Sequence, residues 1–426
     1  MLIRNAAWSF GAQIMRLATA LLLIVLLEPA ARGFQSLIVL VPTLLASLTL
    51  LGVSHATPVL LNRGVSEQRL LSNLLGLGLC VVAAVIVVAL PGLPLAARFL
   101  SGEYRVTTDD VLLGLLLLPP TLLGDYLRSL LAARRDLRQV ALTQSVQAVA
   151  QLVLAIVLVL WLRWGARGAV WSVVLGGWCG FGWTVWSVRR LGRLRPRLDG
   201  AVLRPLLGLG LRGHVGNVVQ TFNYRLDVLI VQGFLGQAAV GLYQTGVLLA
   251  EMIWYIPNAI SAALLPQVAA TGSSRDTPRV ARHTLLLTSL GAVGLLGVTW
   301  PGLALLRPLY LPAVAPMAVL LLGVVALSIH KVLASDLSGR GWPHYPSLTS
   351  SLALVVTLLA DLLLIPRFGI LGAALASTLA YITQTIVLLR IYTRVARVPW
   401  HELLIPRRSD MQVYRRLVLR RGEVPR

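Results

Sequence analysis

Long apolar runs, separated by short polar turns, recur along the whole 426-residue chain. Each run reaches the roughly 20 residues that a helix needs to cross a bilayer. The pattern predicts about twelve transmembrane helices, near 6–27, 34–57, 70–91, 109–131, 140–161, 168–188, 211–235, 238–266, 284–306, 315–334, 348–366 and 370–392. The predicted fold class is an all-α polytopic membrane protein, because helices satisfy every backbone polar group within the segment.

Composition agrees: 57% of residues are hydrophobic and only 13% are charged. The net charge of +22 would point to nucleic acid in a soluble chain. Here its distribution gives another explanation. With the N-terminus inside, 27 of the 38 basic residues fall in cytoplasmic segments and seven in external ones. That bias predicts a multi-pass protein of the inner or plasma membrane with both termini cytoplasmic, and no nucleic-acid partner. The first span also reads as a signal-peptide core, since Arg16 precedes LATALLLIVLL and EPAA. Its match to a later segment argues that it is retained. Cys80 and Cys179 have no zinc spacing and read as small buried apolar residues. The segment Thr107-Thr108-Asp109-Asp110 reads as a capped helix start rather than a metal site, and no metal ligand set is expected.

The halves of the chain repeat one another. EPAARGFQS (28–36) resembles GQAAVGLYQ (236–244) at an offset of 208, and RWGARGA (163–169) resembles RFGILGA (367–373) at an offset of 204. Six spans per half keep both halves in the same orientation, as in transporters built from parallel repeats. The expected division is an N-terminal lobe at 1–192, a basic cytoplasmic linker at 193–210, a C-terminal lobe at 211–393 and a basic tail at 394–426. The linker carries Pro, Gly and alternating Arg, and the tail reads as a disordered positive-inside segment.

Four blocks occur in order over residues 1–395: LLEPAARGFQS with GVSHATPVL after it, NYRLDVLIVQGFLGQAAVGLYQTG, IPNAISAALLPQVA, and IPRFGILGAALASTLAY. Together they resemble the polysaccharide or oligosaccharide-lipid flippases of the multidrug/oligosaccharidyl-lipid/polysaccharide exporter superfamily. The resemblance implies two pseudo-two-fold-related six-helix lobes around a central cavity that opens alternately to each side. It implies a cargo, an isoprenoid-diphosphate-linked oligosaccharide, moved from the cytoplasmic to the external leaflet for cell-surface polysaccharide assembly. Membrane lipids and glycosyltransferase or polymerase partners are expected with it, and neither a cofactor nor enzymatic catalysis. Ala31-Arg32-Gly33-Phe34 departs from the family's usual acidic or small residue, Gly and Tyr.

Charges inside spans mark candidate sites, because each costs about 2.5–3.5 kcal/mol at mid-membrane on insertion scales. Arg16 and Arg225 fall mid-span in repeat-related helices, and a pseudo-two-fold would set both guanidiniums across the cavity to bind diphosphate. The alternative is a pair of structural arginines. Lys331 and Arg128 are further cargo candidates. Arg128 shares a helix face with Asp125 at i, i+3, which also permits a local ion pair. Asp227 lies about 200° around the helix from Arg225 and reads as a partner for another helix. Glu251 is a candidate for ion coupling or for pairing with Arg225. Asp361 reads as interfacial, and Pro257 as a kink. An ion-coupled multidrug or small-metabolite exporter of the same fold is the alternative function, although the mid-span cations suit an anionic cargo better. A membrane glycosyltransferase would need an acidic cluster or a large external loop, and the sequence has neither.

Overall fold

The structure, a computed structural model, describes residues 2–272 and 276–405. All regular structure in this range is helical. Among the described residues, nine helical segments are long and apolar enough to cross a membrane, and two shorter apolar helices, Gly11–Leu26 and Gly200–Leu211, accompany them. The chain is a multi-pass membrane protein. The regions expected to hold the first, sixth and seventh spans are helical as well. The sixth, Gly165–Val188, is rich in Gly and Trp, and the seventh carries Asn223, Arg225 and Asp227.

Packing divides the chain into two compact units, with the boundary between Gln244 and Thr245. The first holds α1 (Leu2–Leu26), α2 (Pro29–Thr49), α3 (Val53–Asn62), α4 (Glu67–Ala89), α5 (Leu93–Leu100), α6 (Thr108–Leu115), α7 (Leu118–Ala133), α8 (Leu137–Ala155), α9 (Gly165–Val188), α10 (Gly200–Leu235) and the start of α11 (Gln237–Glu251). Its core joins Leu70, Leu71 and Leu74 of α4 to Leu122, Leu127 and Leu130 of α7 and to Val202 and Leu206 of α10. Packing and repeat divide the chain differently, because α10 lies against α2, α3 and α4.

α10 starts eleven residues before the expected span. Asp199 caps it, accepting from the Ala201 N–H at 3.0 Å, and Arg69 of α4 holds that carboxylate at 2.6 Å. The cap depends on a residue 130 positions away, so Pro205 and the local glycines mask the helix in the sequence. The expected single span at 34–57 breaks at Leu51-Gly52, both with positive φ. Gly52 there meets α10 closely; a Cβ on it would lie 2.0 Å from the Gly210 oxygen.

The repeat has a structural counterpart. Gly33 of α2 and Gly241 of α11 are equivalent at the offset of 208, and they meet at a single helix crossing. A Cβ on Gly33 would lie 1.9 Å from the Gln237 oxygen; one on Gly241 would lie 1.8 Å from the Pro29 oxygen. Pro29 and Gln237 are themselves equivalent, so the contact is quasi-symmetric. The second motif repeats as a hairpin: Gly165 and Gly369 open α9 and α16 with φ of 58° and 60°. Three residues on, Gly168 and Gly372 each press on a carbonyl of the preceding helix.

The second unit holds α12 (Tyr255–Thr271), α13 (Thr277–Leu306), α14 (Val314–Gly339), α15 (His344–Phe368), α16 (Ile370–Ala396) and α17 (Trp400–Leu404), together with the end of α11. Its core sets Ile329, Val332 and Leu333 of α14 against Leu388 and Tyr392 of α16 and Leu264 and Val268 of α12. Asp336 is fully buried and engages Thr277, Arg340 at 2.6 Å and the Tyr392 hydroxyl at 3.2 Å, tying α13, α14 and α16 at one end.

Three expectations are corrected. Residues 394–405 of the tail are ordered rather than disordered: α17 docks on α13, where Arg282 donates to the Glu402 carbonyl at 2.5 Å and Leu403 is buried. Residues 406–426 lie outside the described range. Cys80 and Cys179 are exposed, not buried. Lipid solvates apolar side chains on the outside of a membrane helix, so apolarity there does not imply burial. Asp361 on α15 is enclosed at 0% exposure instead of open at an interface.

Gly33→Ala and Gly241→Ala should each destabilise the detergent-solubilised protein by about 1–3 kcal/mol, the usual cost of overpacking. The double variant should cost less than the two together, because one displacement of α2 from α11 relieves both clashes. Thermal unfolding of the three variants checks this.

Candidate functional site

The break in the eighth expected span builds the first candidate site. α11 ends at Glu251, the chain tightens into a 3-10 turn over Met252–Trp254, and α12 follows with Pro257 as its third residue. Proline has no N–H to continue the helical ladder, so the tightening just before it has a local cause. The turn presents Glu251, Trp254 and Asn258 toward α14. Lys331 of α14 donates to Asn258 Oδ1 at 2.7 Å and stands 4.6 Å from the centre of the Trp254 ring. Trp254 in turn meets the Tyr381 ring edge-on at 6.2 Å. Glu251 lies close enough to act on Lys331 electrostatically. One turn further along α14, Ser335 donates to the Ser261 carbonyl at 2.7 Å and fixes the spacing of α12 and α14. An ammonium group has three donors, and the Asn258 oxygen takes one of them.

The other candidates take separate places. Arg128 and Asp125 form the i, i+3 ion pair on α7 that their spacing predicts, and both side chains are partly exposed. Asp227 is 3% exposed and accepts from the Tyr243 hydroxyl of α11 at 2.5 Å and from the Val228 N–H at 2.8 Å. It thus joins α10 to α11, as a helix-to-helix partner should. Arg225, two residues before it, is half-buried on a different side of α10, and Arg16 is exposed on α1. Asp125 thus pairs with Arg128, and Glu251 acts on Lys331.

A polar network brackets the turn between α10 and α11. The Gln237 amide donates to the carbonyls of Leu100 at 2.8 Å and Tyr104 at 3.0 Å, and its oxygen accepts from the Tyr104 N–H at 2.8 Å. Glu103 accepts from the Gln237 and Ala238 N–H groups at the start of α11. Carboxylates are favoured there by the unpaired N–H groups and the helix dipole. Tyr104 donates to Glu28 at 2.8 Å, and this hydrogen bond is the main cause of a raised phenol pKa. Thr107 and Asp110 form a reciprocal capping box, and Arg167 grips the same carboxylate at 2.8 Å. That geometry is the capped helix start that the sequence predicts.

Asn258, Trp254 and Tyr381 were not singled out from the sequence. The Asn after Pro257 in IPNAISAA was a usable signal, but its partner Lys331 lies 73 residues away. Asp336 was also missed, since nothing local distinguishes it from an exposed acid near a helix end.

Tyr243→Phe would leave the buried Asp227 carboxylate short of a donor. The expected cost is about 1–3 kcal/mol, larger than for removing an exposed hydroxyl, and thermal unfolding against Tyr345→Phe as a control measures it.

Comparison with known proteins follows the same lines. A family model described as "Polysaccharide biosynthesis protein" matches residues 22–293, more than half of the chain. Two relatives from Haloferax volcanii are similar: the "Probable low-salt glycan biosynthesis flippase Agl15", 23% identical over 38% of this chain, and the "Probable flippase AglR", 26% identical over 39%. Those matches span only 36% and 37% of the relatives' own lengths. In fold, the chain is similar to the lipid II flippase MurJ in an inward closed conformation, with a TM-score of 0.79 at 15% identity over 94% of this chain and 89% of that one. It is also similar to an inward-facing multidrug resistance MATE transporter of the MOP superfamily, with a TM-score of 0.69 at 14% identity over 90% and 95%. The fold is the two-lobed MurJ/MATE type, and by the extent of the family match the chain belongs to the polysaccharide biosynthesis protein family.

Proposed function

We infer that this protein is an alternating-access flippase that carries an isoprenoid-diphosphate-linked oligosaccharide from the cytoplasmic to the external leaflet of the cell membrane. The family match over residues 22–293 carries this reading, and the two relatives named as flippases support it. The inventory of charges agrees. A diphosphate crossing the hydrocarbon region needs neutralisation, and guanidinium and ammonium groups supply it through charge-assisted hydrogen bonds. Arg16, Arg225 and Lys331 are the groups assigned to that task. Lys331 is the best prepared of them, positioned by Asn258 and Trp254 with donors to spare. Arg128 contributes less, because Asp125 already offsets its charge. Glu251 acts electrostatically on Lys331 and is the group assigned to ion coupling or charge pairing.

The arginine distribution supports cytoplasmic termini and therefore an outward direction of transport. Glycosyltransferases that build the cargo and a polymerase that consumes it are the partners this role requires. The mid-span cations favour an anionic cargo over the cationic compounds of a multidrug exporter.

In the native host lacking the chromosomal copy, wild-type protein should restore surface polysaccharide. Arg16→Ala, Arg225→Ala and Lys331→Ala should each reduce export at least about tenfold, consistent with loss of one charge-assisted contact, while membrane levels stay normal. Arg138→Ala, exposed at the start of α8, should export normally. Normal export by all three mid-span variants would contradict the assigned site.

A further inference from the structure

The seven residues before α10 form a built anion site that the transport reading does not use. Residues 193–199 form no regular structure and lie along the first turns of α4. Four hydrogen bonds pin them there. The Gln68 amide donates to the Arg193 carbonyl at 2.8 Å and accepts from the Arg193 N–H at 2.7 Å. Arg197 donates its N–H to the Ser72 carbonyl at 3.0 Å, and Asp199 donates its own to Asn73 Oδ1 at 2.7 Å. Asn73 is itself oriented by the Arg69 carbonyl at 2.8 Å. Contact with α4 is close enough that a Cβ on Gly76 would lie 2.6 Å from the Arg197 oxygen.

The Arg195 N–H donates to the Arg193 carbonyl at 2.9 Å, which turns the chain tightly between these two residues. Arg193, Arg195 and Arg197 are all exposed. They border a pocket of about 740 Å³ whose wall also includes Arg69, Arg189 and Arg190. Arg190 is steadied by stacking 3.8 Å over the Trp186 ring. The wall has one carboxylate, Asp199, and Arg69 already holds it; that hydrogen bond is the leading cause of a carboxyl pKa below the usual range. Asp199 is therefore ionised at neutral pH and cancels one arginine, which leaves five cations around one concavity. A solvated positive face would let such side chains spread apart. Here a pinned backbone holds their Cα atoms close together, and a bound anion would offset the like-charge repulsion.

We propose that this pocket binds a phosphate-rich anion, either the phosphate headgroup of an acidic lipid or a soluble diphosphate. Planar guanidiniums take phosphate oxygens two at a time, and several around one cavity suit more than one phosphate charge. The site is formed within the first unit and is independent of the transport assignment.

The full-length protein in phosphatidylcholine nanodiscs should bind inorganic pyrophosphate in a low-salt calorimetric titration. Arg193→Gln/Arg195→Gln/Arg197→Gln should weaken that binding about tenfold or more. A control that loses the same charge elsewhere, Arg138→Gln/Arg390→Gln/Arg394→Gln, should stay within about twofold. Native mass spectrometry in mixed lipid distinguishes the sources. Retention of phosphatidylglycerol by the wild type but not the pocket variant, with displacement by pyrophosphate, identifies a lipid headgroup. Pyrophosphate binding without lipid retention identifies a soluble phosphate. Equal weakening in both triple variants, or no pyrophosphate binding by the wild type, overturns the proposal. Because all three substituted side chains are exposed, Arg195→Gln alone should weaken binding in the same direction without loss of fold.

Discussion

One crossing of helices in the first unit leaves no room for a side chain at its centre. Where α2 meets α11, the carbonyls of Pro29 and Gln237 occupy the space that any side chain at Gly241 and Gly33 would fill. Lipid offers no hydrophobic drive to press helices together, so membrane helices gain close packing from small residues at the contact. Here the two contact residues are copies of one another in a duplicated sequence. The crossing places the N-terminus of α11 beside the 100–104 segment, where Gln237 and Glu103 satisfy backbone groups that would otherwise be exposed between helices. The same start of α11 brings Tyr243 onto Asp227 of α10. One pair of glycines thereby fixes three helices and a loop.

Charge follows a second constraint. An ionised side chain within a span must have a partner or a wet surface. Asp227 and Asp336 are buried and accept hydrogen bonds from neighbouring helices. Asp125 and Arg128 neutralise one another locally. Lys331 is positioned by an amide oxygen and an indole face.

Much of this was legible in the sequence because it is local or periodic. Helical spans follow from apolar run length, the 107–110 cap from Thr and Asp at fixed spacing, and the Arg128–Asp125 pair from i, i+3 geometry. The repeat was legible because the glycines at 33, 241, 165 and 369 are required by backbone geometry and leave a trace at constant offset. What was hidden depends on distant partners. The early start of α10 needs Arg69 to hold Asp199. The ordering of α17 needs Arg282. The Lys331 site needs Asn258 and Trp254, brought to it by a 3-10 turn that the apolar run conceals. The two cysteines misled for another reason, since apolar character does not distinguish a lipid-facing from a protein-facing position.

Reconstitution tests the central claim most directly. Protein in sealed proteoliposomes would be supplied with a fluorescent isoprenoid-diphosphate oligosaccharide in one leaflet, and its appearance in the other followed by membrane-impermeant quenching. The account predicts translocation faster than in protein-free vesicles, with a neutral analogue lacking the diphosphate left behind. Translocation no faster than in protein-free vesicles, or equal movement of the neutral analogue, would contradict it.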